Sequence, residues 1–216
     1  MSDPAFQSDI DPSGFTPIDA VPRDPNSVYL FDFDGVIASG VEDKIYKLTE
    51  RPSEQSVFAM LEDKFSLRIG AMDFRYRRHL LFQQLAAARG LSIRTGPGFE
   101  LAKWASDHAR FFVLTARSGW AATARLRNFL EFHHLTPIDL YQVGRVHKER
   151  QVARVVEEFL PTPVYYIEDS LAHLAQADKL DLKSLTPVFC PEVITLEDVE
   201  TLYTEVFGNL DNPSER

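Results

Sequence analysis

Two carboxylates at the end of an apolar run are the residues best suited to chemistry in this chain of 216 residues. Asp32 and Asp34 follow the run Val28–Phe31, and Gly35 next to them permits a sharp turn. Carboxylates two residues apart can converge as the backbone turns, and they can bind a hard cation through oxygen. One can then attack phosphorus while the other transfers a proton. The pair indicates phosphoryl transfer, or else an acidic turn that merely leaves a strand.

Polar residues also follow two later apolar runs. Thr115 follows residues 111–114, and its hydroxyl can bond a phosphoryl oxygen, while Arg117 can clamp a further oxygen or a second anionic group. Glu168 and Asp169 follow residues 164–167. Acids at the end of a buried run are costly unless they are exposed, paired or bound to metal. Together with Asp32 and Asp34 they form an oxygen ligand set suited to Mg²⁺.

A basic residue is expected near these acids, and Lys148 is the first candidate. It opens an apolar-periodic helix over residues 148–160. A lysine in the first helical turn opposes the helix dipole, which favours a functional reason for its presence. Its charge could neutralise the nucleophile and a phosphate. Arg145 and Arg150 are alternatives for the same role, and a solvated charge is the other interpretation.

The apolar runs alternate with helical patterns, which predicts an α/β fold with a doubly wound parallel sheet. Further strands are predicted at 138–143 and 185–190, and helices at 98–107, from Ser118 through Leu130, and at 195–207. In such a sheet, ligands bind beyond the carboxyl ends of the strands. We therefore expect Asp32, Thr115 and Asp169 to meet at one edge.

The ordered motifs resemble those of the haloacid dehalogenase superfamily of phosphohydrolases. The four motifs are matched by Asp32 with Asp34, then Thr115, then Lys148, then Asp169 with Glu168. The resemblance covers residues 28–177. It implies a Rossmann-like sheet with strand order 5-4-1-2-3 and a cap inserted after the first strand. Many members have Gly-Asp or Asp-Asp where this chain has Glu168-Asp169, so the composition of the metal shell is open.

The resemblance also implies roles for individual residues. Asp32 would be the nucleophile and Asp34 the general acid and base. Dehalogenases of the superfamily lack a carboxylate at the second position, so Asp34 points to phosphoryl transfer. The implied Mg²⁺ ligands are Asp32, Asp34 through its backbone carbonyl, Asp169, and Glu168 directly or through water. The implied phosphate-binding residues are Thr115, Ala116, Arg117 and Lys148.

Four segments are predicted along the chain. Residues 1–27 are rich in Asp, Pro and Ser and are expected to form a flexible or loosely docked leader. Residues 28–36 and 96–207 form the core domain. Residues 37–95 interrupt the alternation and are interpreted as a small helical cap. Residues 208–216 are a short tail.

The predicted cap concentrates basic residues in a chain whose net charge is −9. They could recognise a second anionic group of the substrate, or they could be a solvated helix face. The candidates for substrate contact are Arg75, Arg77 and Arg78, with Arg68 and His79 nearby.

Composition restricts the remaining functions. The acidic net charge disfavours binding to nucleic acid or to an anionic membrane. A single cysteine excludes an intrachain disulfide and a cysteine zinc site. No signal peptide or membrane-spanning run is recognisable, so a cytoplasmic location is expected. The sequence does not indicate an oligomeric state.

The function predicted from the sequence is Mg²⁺-dependent hydrolysis of a small phosphomonoester, a sugar phosphate or a nucleotide. Four alternatives stay open. One is a phosphotransferase or mutase with the same intermediate. A second is a polynucleotide 3′-phosphatase, suggested by a short likeness over residues 114–119. A third is a non-catalytic binding protein with this fold. A phosphorylated receiver domain fits less well, because there the acidic pair lies on a different strand from the phosphorylated aspartate.

Overall fold

The computed structural model describes residues 10–40, 93–117, 120–143 and 148–192. The chain divides into two compact units, one of residues 1–39 and 94–192 and the other of residues 40–93 and 193–216. Nearly all described residues belong to the first unit. No helix among the described residues has the length and apolar character needed to cross a membrane. The predicted cap, closing helix and tail lie almost wholly outside the described residues, so they stay predictions.

A six-stranded sheet forms the centre of the first unit, and every neighbouring pair in it is parallel. Its strands are β1 (Thr16–Pro17), β2 (Val28–Asp32), β5 (Arg110–Thr115), β6 (Asp139–Gln142), β7 (Val164–Glu168) and β8 (Leu185–Phe189). Their order across the sheet is β1-β8-β7-β2-β5-β6. Counted by chain position, the five strands from β2 to β8 in this sheet lie in the order 5-4-1-2-3, and β1 extends the sheet beyond β8.

Four helices connect these strands within the described residues. They are α1 (Phe99–His108), α2 (Trp120–Phe132), α3 (Lys148–Phe159) and α4 (Leu171–Asp178). Helix α3 buries Val152, Val155 and Val156 and exposes Arg154 and Glu157, as its apolar spacing predicts. The predicted bounds of α1 and α3 differ from the observed ones by a single residue at their ends.

The helices cover both faces of the sheet. Leu30, Phe112 and Tyr166 pack in one cluster with Val152 of α3 and Leu174 of α4. The alternate residues point to the opposite face, where Tyr29 meets Trp104 of α1 edge to face, with ring centroids 5.5 Å apart. Strand β2 is therefore buried on both faces, which explains its continuously apolar sequence. The predicted α/β class with a doubly wound parallel sheet is confirmed.

The second half of the predicted flexible leader is part of the fold. Thr16 and Pro17 form β1 and pair with Val188 and Phe189 of β8. Farther along, Val21 is buried, and the hydroxyl of Tyr29 donates a hydrogen bond of 2.6 Å to the carbonyl of Pro22. The polar composition of this segment did not predict its packing, because the packing depends on a few apolar and backbone contacts with residues that lie outside the segment.

A short two-stranded antiparallel ladder flanks the residues that the structure does not describe. Strand β3 (Ala38–Ser39) pairs with β4 (Arg94–Thr95). Gly96 and Gly98 then pass close to Val36. The amide of Gly96 donates a 2.9 Å hydrogen bond to the carbonyl of Ile37, and the amide of Gly98 donates a 2.8 Å hydrogen bond to the carbonyl of Val36. These contacts hold the chain where it leaves β2 against the start of α1. The sequence did not predict this ladder.

Candidate active site

Three neighbouring parallel strands end in polar residues at the same edge of the sheet. Asp32 ends β2, Thr115 ends β5 and Glu168 ends β7, and all three are buried. Asp32 pairs with Leu114, while Phe31 pairs with Ile167 on the other side. The carboxyl ends therefore lie next to one another, as expected for a ligand site in this class of fold.

Strand alternation directs two of these acids toward α3. Side chains two residues apart share a face, so Asp32 points to the face of Leu30, and Glu168 to the face of Tyr166. Leu30 and Tyr166 belong to the cluster that packs on α3 and α4. Lys148 is the first residue of α3, and its side chain is almost fully buried at the end of that face.

Lys148 lies between the two buried acids. Its Nζ is 2.8 Å from Oδ2 of Asp32 and 2.8 Å from Oε2 of Glu168. Of the two basic candidates within the described residues, Lys148 is the one placed against Asp32. Arg150 is exposed on the same helix, and Arg145 lies outside the described residues. The dipole argument for a functional lysine thus agrees with its position.

Glu168 is fully buried and accepts contacts on both of its carboxylate oxygens. Oε2 lies 2.8 Å from Nζ of Lys148, 2.7 Å from the hydroxyl of Tyr166 and 3.3 Å from Nδ1 of His173. Oε1 accepts bonds of 3.2 and 3.1 Å from the amides of Asp169 and Ser170. These contacts occupy most of the lone-pair directions of the carboxylate. These contacts favour a role for Glu168 as the ion-pair partner of Lys148 over a role as a metal ligand.

Tyr166 and His173 were not predicted as members of the site. Tyr166 lies two residues before Glu168 on β7, so strand alternation places both on one face. That spacing is a usable signal, although Tyr166 also belongs to a continuous apolar run, which indicates a core residue. His173 lies in the first turn of α4. Its approach depends on how α4 packs, which the sequence does not reveal.

Burial and charge perturb the ionisation of this group. Burial alone would raise the pKa of Glu168, but Lys148 and His173 hold that pKa well below its usual range. Burial alone would lower the pKa of Lys148, but Asp32 and Glu168 raise it above the ordinary value. Burial, reinforced by the charge of Glu168, raises the pKa of Asp32. One lysine therefore does not fully compensate two buried carboxylates.

The donor set is suitable for a divalent cation. Asp32, Glu168 and Asp169 each offer a carboxylate oxygen, and these oxygens lie within 4.8 Å of one another. Asp169 is partly exposed at the same edge. A hard cation bound by Asp32 and Asp169 would supply the positive charge that Lys148 alone does not, and oxygen ligands suit Mg²⁺.

Asp34 lies in a tight turn and is bonded to Arg117. Gly35 has φ of 80°, a left-handed conformation that fits the sharp turn it was expected to permit, and its amide donates a 2.7 Å hydrogen bond to the carbonyl of Ala38. Nε of Arg117 lies 2.8 and 3.0 Å from the two carboxylate oxygens of Asp34. Its second terminal nitrogen, Nη2, lies 2.6 Å from Oδ1.

Thr115 and Arg117 come from one short segment after β5. The amide of Arg117 donates a 3.0 Å bond to Oγ1 of Thr115. The hydroxyl accepts in this bond, so its own hydrogen can be donated to another group. Arg117 is buried against the ring of Phe33, 5.4 Å from the ring centroid, while Ala116 is exposed.

Most of the predicted site residues are therefore brought to one edge of the sheet. They are Asp32, Asp34, Thr115, Arg117, Lys148, Glu168 and Asp169. The predicted substrate contacts lie outside the described residues; they are Arg75, Arg77 and Arg78.

Comparison with solved structures found similarity at the level of the fold. The chain resembles the crystal structure of a protein described as a haloacid dehalogenase-like hydrolase from Burkholderia xenovorans LB400. The two sequences are 19% identical, the match covers 77% of this chain and 82% of the other, and the TM-score is 0.42. No protein-family model matches the chain, and no curated protein matches it.

Proposed function

We propose that this chain is a Mg²⁺-dependent phosphomonoester hydrolase of the haloacid dehalogenase superfamily. The observation that most supports this is the buried pairing of Asp32 with Lys148 at the carboxyl edge of the sheet. A carboxylate held there beside a cation and a set of acidic oxygens is suited to attack an anionic phosphate. In an acidic turn without a function, Asp32 and Lys148 would be expected to lie in water, whereas both side chains are buried.

The reaction requires two displacements at phosphorus. In the first, a carboxylate oxygen of Asp32 forms a bond to phosphorus as the bond to the leaving oxygen breaks, and Asp34 protonates that oxygen. In the second, Asp34 removes a proton from water, and the water oxygen attacks the aspartyl-phosphate. The bond between Asp32 and phosphorus breaks, which releases inorganic phosphate and restores the carboxylate of Asp32 and the protonated form of Asp34.

The remaining residues position the phosphoryl group and balance its charge. Thr115 can donate its hydroxyl hydrogen to a phosphoryl oxygen, and the ammonium of Lys148 stabilises charge beside Asp32. Bound Mg²⁺ would be held by Asp32 and Asp169 and would offset the repulsion between the carboxylate and the phosphate. Glu168 keeps Lys148 in place from the other side.

The proposed substrate is a small phosphorylated metabolite, either a sugar phosphate or a nucleotide. The Asp34 carboxylate favours phosphoryl transfer, and the acidic net charge disfavours nucleic acid as the substrate. The basic residues at 75–78 suit a second anionic group on a small molecule. A transferase would use the same groups with an alcohol in place of water. Release of inorganic phosphate without any added alcohol would identify hydrolysis.

The test is a panel of phosphomonoesters assayed with Mg²⁺ and with EDTA. We expect phosphate release with Mg²⁺, its loss with EDTA, and its abolition in Asp32→Asn. The matched control is Asp107→Asn, which changes an exposed aspartate on α1 and should retain wild-type rates. Full turnover by Asp32→Asn would refute the nucleophile, and turnover unaffected by EDTA would refute the metal.

A further inference from the structure

Arg117 is directed at the side chain of Asp34. Three of its nitrogen–oxygen distances to that carboxylate are 2.6, 2.8 and 3.0 Å. They involve Nε and Nη2, two adjacent nitrogens of one planar group. A planar guanidinium that engages both oxygens of a carboxylate defines the plane of that carboxylate as well as its distance. A lysine in the same place could define only the distance.

Arg117 is itself firmly held, and Asp34 is the more exposed partner. The side chain of Arg117 is 1% exposed, against 20% for that of Asp34. The guanidinium lies over the ring of Phe33, and the backbone amide is bonded to Thr115. A rigid, buried donor thus restrains an acceptor that would otherwise rotate about its side-chain torsions. The asymmetry makes Arg117 the fixed member of the pair.

Orientation matters for the chemistry assigned to Asp34. A general acid or base must present the correct oxygen at about 2.6–3.2 Å from the atom with which it exchanges a proton. A small displacement of the catalytic oxygen reduces the rate, since a misplacement of about 1 Å can lower it on the order of a hundredfold. The sequence had suggested that Arg117 binds phosphate, whereas in the structure Nε and Nη2 of its guanidinium contact Asp34.

We propose that Arg117 is a positioning residue that orients Asp34 for proton transfer to the leaving group. The inference rests on the proposed phosphatase function. It deepens that function by separating Arg117 from Thr115 and Lys148, which act on the phosphoryl group. Arg117 then affects the reaction only through Asp34, and its importance depends on how much the leaving oxygen needs a proton.

The experiment compares two substrates in the full-length protein with saturating Mg²⁺. One is 4-nitrophenyl phosphate, whose leaving group departs readily without a proton. The other is an alkyl phosphate, glycerol 2-phosphate, whose alcohol must be protonated. The ratio kcat/KM reports steps up to departure of the leaving group, so the shared hydrolysis of the aspartyl-phosphate does not mask the difference. The variants are Arg117→Lys, Arg117→Gln, Asp34→Asn, and each Arg117 change combined with Asp34→Asn.

For Arg117→Lys we expect kcat/KM to fall about a hundredfold for the alkyl phosphate and less than about tenfold for the aryl phosphate. Combining either Arg117 change with Asp34→Asn should cost little more than Asp34→Asn alone, because both remove one function. Arg117→Gln keeps a planar donor without charge, so it provides the same comparison if the lysine variant does not fold.

Equal losses on both substrates, with effects that multiply in the double variant, would show that Arg117 binds phosphate and would overturn the inference. That outcome would leave the proposed function intact. Absence of turnover by the wild-type protein on both substrates and on the wider panel would instead contradict the proposed function itself.

Discussion

Nζ of Lys148 lies 2.8 Å from Oε2 of Glu168, and this contact joins the start of α3 to the end of β7. Neither side chain is exposed, so the pair is not a surface ion pair of small value. Removal of Lys148 leaves two buried carboxylates without their shared cation, whereas removal of Glu168 leaves the lysine paired with Asp32. The same lysine contacts Asp32, the proposed nucleophile. Lys148 is therefore expected to contribute both to stability and to the charge balance beside Asp32.

Replacement of Lys148 should impair both activity and stability. In Lys148→Met, Asp32 and Glu168 face each other without their shared cation. We expect kcat/KM to fall by about 10²–10³ and the free energy of unfolding to fall by about 3 kcal/mol. Phosphatase assays and urea denaturation would measure these changes. Lys103→Met, on the surface of α1, is the control, and equal behaviour of the two variants would contradict the assigned role.

The adjacent acids Asp169 and Glu168 should respond differently when each is replaced by its amide. In Asp169→Asn we expect weaker Mg²⁺ binding by about tenfold or more, because a proposed ligand is lost. In Glu168→Gln we expect Mg²⁺ affinity close to that of the wild type but a lower kcat, because Lys148 loses an anionic partner. Isothermal titration calorimetry measures binding without turnover. Equal weakening in both variants would show that Glu168 ligates the metal.

Tyr29 should stabilise the segment that precedes β2. Its hydroxyl donates to the carbonyl of Pro22 at 2.6 Å and accepts from the amide of Asp24 at 2.9 Å. In Tyr29→Phe we expect a loss of about 1–2 kcal/mol in the free energy of unfolding at neutral pH, with faster proteolysis near residues 21–27. Unchanged stability and unchanged proteolysis would indicate that this segment does not depend on the hydroxyl.

The cost of Tyr29→Phe should also depend on pH. Burial raises the pKa of Tyr29 above its ordinary value of 10.0, so the folded state holds this proton more tightly than the unfolded chain. Its contribution is complete below pH 10 and is lost as the pH rises through the folded pKa. The difference in stability between wild type and Tyr29→Phe should therefore narrow above pH 10. A difference that widens in urea titrations there would contradict this sign.

Gly96 should be intolerant of a side chain. A Cβ at this position would collide with the carbonyl oxygen of Val36 and lie 2.9 Å from its carbonyl carbon and 3.1 Å from the amide nitrogen of Ala38. Because these are backbone atoms, the clash cannot be relieved by a rotamer change. We expect Gly96→Ala to cost about 1–3 kcal/mol in urea denaturation.

Gly14 provides the matched control, since nothing lies within 4 Å of a Cβ built there. Gly14→Ala should change stability by no more than about 0.5 kcal/mol. If both alanine variants unfolded at the same urea concentration, the close approach of Gly96 to the backbone of Val36 would not contribute to stability.

Sequence patterns were sufficient for the parts of the fold that depend on local periodicity. Buried strands read as continuous apolar runs at β2, β5 and β7, and α3 showed an amphipathic spacing, because burial on two faces or one dictates those compositions. The acids and the hydroxyl at strand ends could be assigned to a common edge, since parallel strands place their carboxyl ends together.

Tertiary structure was needed for the pairings between residues of different elements. Arg117 meets Asp34 and Lys148 meets Glu168 across 83 and 20 residues of sequence. The docking of residues 16–17 on β8 and the approach of His173 to Glu168 likewise depend on how separate elements pack. Residue type and strand position thus determined which groups reach the edge of the sheet. The charged partners from other elements were decided only by the folded structure, because the interaction between two charges depends on their distance in space and not on their separation in the sequence.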